Sequence, residues 1–312
     1  MRLYKSTLTL GSASATLWQA DTIFGHLCWK LLRRGSEAEL NKFLELYEQG
    51  QPPILLSDGF PGNYLPRPLA PSSGDDQSQL TKRERVERRR VAKEAARAEW
   101  LSLDDFNLAR RGEPVKSPPK EDELSEVMRF GVTAKNQINR VTNTTGGGGE
   151  LYEMGEFILT RVTVYWRVAD GHLDEVRNFL NELQATGYGK RKTVGYGRIE
   201  SFTLEEFDGF TEVPDADGFV TLSRFVPAPA DPTDGFWRAV VKYGKLGEEF
   251  AVSGNPFKRP LIQLAAGSCF RAAPMREWYG RIVGGLSVRP EVKQYGFAFP
   301  VPMRLPKANA ST

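Results

Sequence analysis

The sequence predicts an α+β fold, and three observations carry the prediction. Residues 2–10, RLYKSTLTL, alternate in period two and are rich in β-formers, as a half-buried strand is. Two segments have helical spacing: the apolar run TIFGHLCWKLL, and HLDEVRNFLNELQATG, which places Leu173, Val176, Leu180 and Leu183 on one face. A third kind of segment, EFILTRVTVYWRVAD at residues 156–170, has the β-branched and aromatic content of a strand.

In chain order, the first strand feeds a Gly/Ser turn, and Asp21 reads as the N-cap of the helix that follows. A short acceptor side chain there can bond the free amides of the first turn, and Ser36 with Glu39 repeats the logic in capping-box spacing. PILLS and YLPRPL, separated by Asp58-Gly59 and Pro61-Gly62, suit short strands or extended loops. From about 72 to 119 the composition shifts to a polar tract, an Arg-rich stretch KRERVERRRVAKEAARAEW and a Pro-bounded segment, which reads as a helical insertion. Its positive excess suits a partner or nucleic acid, but Glu84 with Arg88, and Glu94 with Lys93 and Arg97, also suit a solvated helix. Gly187 is placed to cap the later helix, and GYGKRKTVGYGRIESFTL returns to a strand. Strand, helix, glycine loop and strand form half of a ferredoxin-like βαββαβ unit. From Gly218 the pattern restarts as short β-like runs, FVTLSRFVPAP, FWRAVVKYG, PLIQLAAGSCFR and VKQYGFAFPVPMRL, parted by Gly and Pro. Two domains are expected, residues 1–205 and 206–312, which suits the length.

Composition, 40% hydrophobic and 26% charged, is that of ordinary globular protein. A net charge of +3 is too small to diagnose a nucleic-acid partner, so local clustering matters more. No run approaches the roughly 20 apolar residues of a membrane helix, and residues 1–10 do not form a signal-peptide block, so a soluble, cytoplasmic protein is expected. Cys28 and Cys269 give neither a disulfide framework nor a metal spacing, and His26 and His172 lack clustered ligands. Reduced core thiols, no metal and no cofactor are expected.

The most informative stretch is GYGKRKTVGYGR, residues 187–198, where four glycines bracket three consecutive cations and two tyrosines. Glycines let backbone amides approach phosphate oxygens, Lys190, Arg191 and Lys192 neutralise phosphates, and Tyr188 or Tyr196 can stack on an unpaired base. The Walker pattern and the dinucleotide fingerprint are both absent, and the loop follows a helix instead of opening one. A flexible basic turn is the plain alternative.

The segment TGYGKRKTVGYGR resembles the glycine-rich loop of the RAMP superfamily, the ferredoxin-like RNA-binding subunits of CRISPR systems. ADTIFGHLCWKL, KNQINRVTNTTGGGGELYEMGEF and KQYGFAFPVPM are similar to the first helix, the thumb-like hairpin and the carboxyl end of the 5′-handle-binding RAMP subunit of type III-A (Csm) effectors. The resemblance spans nearly the whole chain. It implies two tandem RAMP (RRM-like) modules, with a hairpin at about 132–156. It also implies a non-catalytic antiviral role: gripping the 5′ tag of the crRNA, contacting the large polymerase- and cyclase-like subunit, abutting a backbone RAMP subunit, and meeting target RNA through the complex. Lys190, Arg191, Lys192, Thr193, Tyr196 and Arg198 would line the tag, Asn136, Asn139 and Arg140 would touch RNA near the hairpin, and Gly146 to Gly149 would form its tip.

His26 invites comparison with the general acid-base histidines of related RAMP endonucleases, so a metal-independent endoribonuclease is the rival class. A helix-core or RNA-contacting histidine is the expected role. Asp21 invites comparison with the target-cleaving aspartate of backbone RAMP subunits, although its place at a helix start supplies a structural reason. The equivalent subunit of a type III-B or III-D complex would carry the same fold and loop. At the carboxyl end, YGFAFPVPM alternates as an edge strand with Tyr295, Phe297 and Phe299 on one face, to be buried within the second domain or near a partner.

Overall fold

The computed structural model describes residues 1–71, 90, 97–136, 141–142, 151–252 and 254–306. Its first half runs β1 (Arg2–Leu10), α1 (Ala20–Arg34), α2 (Glu37–Glu48), β2 (Ile54–Leu56), β3 (Phe60–Pro61), β4 (Leu65–Pro66), β5 (Trp100–Leu101) and α3 (Leu103–Arg110). It continues with α4 (Glu121–Val127), β6 (Met128–Asn136), β7 (Leu151–Leu159), β8 (Arg161–Val168), α5 (Leu173–Thr186) and β9 (Ile199–Glu206). The second half holds β10 (Gly218–Thr221), β11 (Gly235–Phe236), β12 (Ala239–Lys242), β13 (Leu261–Leu264), β14 (Cys269–Arg271) and β15 (Pro300–Met303).

The main sheet has the order β2-β8-β1-β9, with β3 also on β8, and these pairings are antiparallel. Central β1 and β8 each begin a strand–helix segment, so the two halves of a βαββαβ chain order interleave. The expected period two is seen in β1, where Tyr4, Ser6, Leu8 and Leu10 point inward and their neighbours outward. Helix α5 buries Val176, Phe179, Leu180 and Leu183, a single apolar stripe. Each of those side chains contributes roughly 1.5–3 kcal/mol by leaving water. Ser36 and Glu39 form the expected capping box, each side chain accepting from the other's amide at 3.2 Å.

The cap of α1 differs from expectation. The helix begins at Ala20, and its N-cap residue, Gln19, makes no side-chain cap. Asp58, from the loop after β2, supplies the acceptor instead, taking the Ala20 amide at 2.8 Å. Asp21 is left free for other work inside the protein.

Two expected boundaries also move. Of the segment 72–119, most of the Arg-rich part, with Glu84, Arg88 and Glu94, lies outside the described residues, but its end is built into the body. Leu101 and Phe106 are fully buried, and Arg110 donates to the carbonyls of Pro302 (2.8 Å) and Thr211 (2.7 Å). The hairpin is longer than 132–156, with β6 and β7 paired from Met128 and Leu159 to Asn136 and Leu151.

The second half forms a sheet of order β11-β14-β10-β15 and a separate ribbon, β12–β13. No α-helix occurs among its described residues, so it lacks the two helices of a complete second ferredoxin-like unit. Helical cover comes from the first half: the Phe24 ring lies 4.8 Å from Tyr295, and Tyr47 5.6 Å from Phe297. One buried cluster contains Phe24, Tyr47, Val220, Tyr295, Phe297 and Phe299 together, so the elements divide near 206 but the core does not. Ala298, on the opposite parity, belongs to a second cluster with Phe219, Phe225, Phe270 and Tyr279. The YGFAFPVPM alternation is therefore real, with both faces packed within the chain. Both cysteines are free thiols.

Candidate nucleic-acid interface

The glycine-rich turn closes α5 onto β9 and is sewn to the β1–α1 connection. Gly187, at φ 78°, ends α5 as expected. Tyr188 donates from its amide to the Gly197 carbonyl, and Gly197 donates to Ala13. Gly189 donates to His26 Nε2 at 3.1 Å, Lys190 to Thr16 Oγ1 at 2.9 Å and Arg198 to Ser12 Oγ at 2.9 Å. Gly197 is required at its position: it has φ 65°, and a β-carbon there would lie 2.0 Å from the Tyr188 carbonyl oxygen. The amides from Tyr188 to Lys190 and from Val194 to Arg198 are thus spent inside the chain. The glycines shape the loop, and side chains are what it presents outward.

Tyr188 corrects one expectation. Its ring is fully buried and stacks on Trp18 at 3.7 Å between centroids, while its hydroxyl donates to the Leu17 carbonyl at 2.8 Å. It anchors the loop and is unavailable to a base. Tyr196 is half-buried, donates to Glu156 at 2.9 Å, and has the Lys135 ammonium 5.5 Å from its ring. Arg191 donates to the Tyr152 hydroxyl at 2.8 Å. Loop and hairpin are therefore joined, and Asn136, exposed at the end of β6, pairs with Leu151 one step beyond the Lys135–Tyr152 pair.

Among the described residues the Lys190 ammonium has no protein partner, Thr193 is exposed, and exposed Arg198 has Glu200 at 3.8 Å. Lys192 is different: it is half-buried and paired with Glu248. Asn139, Arg140 and Gly146 to Gly149 lie outside the described residues. Arg191 and Tyr196 are thus brought together with the hairpin, while Lys192 turns to Glu248. Sequence reasoning missed Ser12 and Thr16, which hold the loop, and Glu248. One signal for Glu248 was present: with Glu249 it is the sole acidic pair in an otherwise acid-free stretch from 235 to 262.

His26 is half-buried beneath the loop, with its ring 5.1 Å from Tyr188. Burial, then the charge of Lys192, pushes its pKa down to about 4, so the ring is neutral at pH 7 and its Nε2 accepts from Gly189. Between about pH 4 and 6.5 the unfolded chain binds a proton there that the folded chain does not. Stability from this group is therefore full above pH 6.5 and is lost as pH falls toward 4, by up to about 3 kcal/mol. Asp58, pushed up to about 6 by burial, opposes this trend, so the difference between wild type and His26→Gln isolates it. The expected result is a stability gap in chemical denaturation that narrows from pH 7 to pH 4; a constant gap would remove the assignment.

Asp21 is engaged inside the protein. Its carboxylate, 1% exposed, accepts from Lys242, Gln263 and Gln294 in the interior. Among the described residues no group of three or more His, Cys, Asp or Glu side chains could hold a metal, and no helix is long and apolar enough to cross a membrane.

An interleaved antiparallel sheet is thus closed by a basic glycine loop, with a hairpin joined to that loop. The chain is similar in sequence to curated proteins described as Csm4, and in fold to Csm4 chains of solved complexes. It is 28% identical over 293 residues to a protein of Streptococcus thermophilus described as "CRISPR system Cms protein Csm4", covering 90% of this chain and 87% of that one. A protein of the same description from Thermococcus onnurineus (strain NA1) is 27% identical over 300 residues, covering 93% and 92%. Among solved structures, a chain of a Csm1–Csm4 cassette in complex with pppApA matches with TM-score 0.61 and 19% identity, covering 99% of this chain and 100% of that one. A chain of a Csm3–Csm4 subcomplex of a type III-A interference complex matches with TM-score 0.61 and 12% identity, covering 98% and 100%. No protein-family model matches the chain.

Proposed function

We propose that this chain is the Csm4-type subunit of a type III-A effector complex, and that it holds the 5′ tag of the crRNA without catalysing any reaction. The observation that carries the reading is the union of loop and hairpin through Arg191–Tyr152 and Tyr196–Glu156, beside exposed Lys190 and Arg198. Cations spaced along a rigid turn neutralise successive phosphates, and single-stranded RNA leaves its base edges open for contacts from the hairpin side. Lys190, Arg191, Lys192, Thr193, Tyr196, Arg198 and Asn136 are the described residues assigned to RNA.

The structural neighbours support the partners: the chains matched by fold occur with Csm1 and with Csm3. We assign this chain the corresponding contacts with a large subunit and a backbone subunit, in the cytoplasm, and read its halves as tandem ferredoxin-like modules of which the second borrows helices from the first. The non-catalytic reading is supported by the neutral, acceptor-bound state of His26 and the internal pairing of Asp21. The test is binding of labelled single-stranded tag RNA by wild type and by the Lys190→Ala, Arg191→Ala double variant. The variant is expected to bind more weakly, with a log-log salt slope shallower by about 1.4, two phosphates at about 0.7 each. Unchanged affinity and slope would sink the loop assignment, and cleavage of the RNA in EDTA, lost in His26→Ala, would replace it with the nuclease.

A further inference from the structure

Glu248 reaches the loop from the second half of the chain. It starts the 3-10 turn Glu248–Val252 with a left-handed backbone, φ 52°, a conformation disfavoured for a residue with a side chain. The turn is pinned to α1 by Phe250, whose ring meets Trp29 edge-on at 5.0 Å and lies beneath Arg289 at 4.1 Å. This delivers the carboxylate between two cations. One oxygen accepts from Arg33 at 2.6 Å and the other from Lys192, and the side chain is only 14% exposed. His26, Lys30 and one further acid, Glu182, line the same cleft. A carboxylate giving one oxygen to each of two cations occupies the place of two non-bridging oxygens of a phosphate.

We propose that Arg33 and Lys192 form a cradle for one RNA backbone phosphate, and that Glu248 is its internal occupant, displaced when RNA binds. This rests on the RNA-binding reading of the loop. A tethered carboxylate competes at an effective concentration in the millimolar range or above, so free small anions do not displace it. A polyanion already held by Lys190 and Arg198 is itself tethered, gains counterion release, and can exchange for it. The latch makes the cradle selective for a chain of phosphates over isolated ones. It also keeps Lys192 and Arg33 in place before RNA arrives.

The test uses Glu248→Gln, close in size, with the full chain and single-stranded tag RNA as probe. The variant is expected to bind RNA about fivefold more tightly at 0.1 M salt, with a salt slope steeper by about 0.7. Arg33→Ala is expected to weaken wild-type binding and to cancel the gain in the double variant. Inorganic phosphate alone, up to the low millimolar range, is expected to compete with RNA in Glu248→Gln and not in wild type. Wild-type binding with an unchanged or weakened Glu248→Gln overturns the latch and leaves the RNA reading intact. Wild type that binds no RNA removes the reading beneath it. If Glu248→Gln does not fold, Arg33→Ala decides, and unchanged RNA affinity in that variant overturns the cradle.

Discussion

Replacing Asp21 by Ala is expected to lower the unfolding free energy by about 3–5 kcal/mol, a sizeable part of the roughly 5–15 kcal/mol that holds a domain together. The carboxylate gathers the Lys242 ammonium and the side-chain amides of Gln263 and Gln294, while Lys242 also donates to Gln19 at 2.8 Å and Thr22 at 3.1 Å. Removing it strands a largely buried cation and two amides, and a buried charge without its partner costs more than the pair contributes. Asp21→Asn is expected to fall between, because the amide keeps the shape and loses the charge. In the double variant Asp21→Ala, Lys242→Met the loss is expected to be smaller than in Asp21→Ala alone, since nothing charged is left behind. Denaturant midpoints at neutral pH decide it. A loss under about 1 kcal/mol in Asp21→Ala would show the network to be dispensable.

Tyr188→Ala is expected to cost about 3–5 kcal/mol as well, by emptying the space of a large buried ring. The ring also fixes the loop, so RNA affinity should fall together with stability. Tyr188→Phe keeps the stack on Trp18 and loses one hydrogen bond to Leu17, at about 1 kcal/mol. Its RNA affinity should stay close to wild type. A base-stacking role for Tyr188 makes the opposite forecast: an Ala variant as stable as wild type that binds RNA poorly. Thermal melting and RNA titration of the same preparations separate the two.

The features legible in the sequence are those that depend on near neighbours. The period of β1, the stripe on α5, the Ser36–Glu39 box and the Gly187 cap each need only a few consecutive residues, and each is found as expected. Asp21 shows where that reasoning stops. An acid ahead of an apolar run has the local signature of a cap, but Lys242, Gln263 and Gln294 claim it from far along the chain, and Asp58 takes over the cap. The loop behaves alike. Its cations and glycines were legible by composition, whereas the burial of Tyr188 against Trp18 and the pairing of Lys192 with Glu248 are set by tertiary partners. The β-runs of the second half were legible too, and the source of their helical cover was not, because Phe24 and Tyr47 meet Tyr295 and Phe297 only after the chain returns.

The Asp21 network has a consequence for biosynthesis. Gln294 is polymerised 273 residues after the carboxylate it finally meets. At about 5–20 residues per second, an interval on the order of tens of seconds separates them. Throughout it the Asp21 network lacks Gln294, and Phe24 and Tyr47 lack Tyr295 and Phe297, which pack on them in the finished protein. The amino-terminal half therefore leaves the ribosome with an uncovered apolar face. Its folding is completed only when the segment carrying Gln294, Tyr295 and Phe297 arrives.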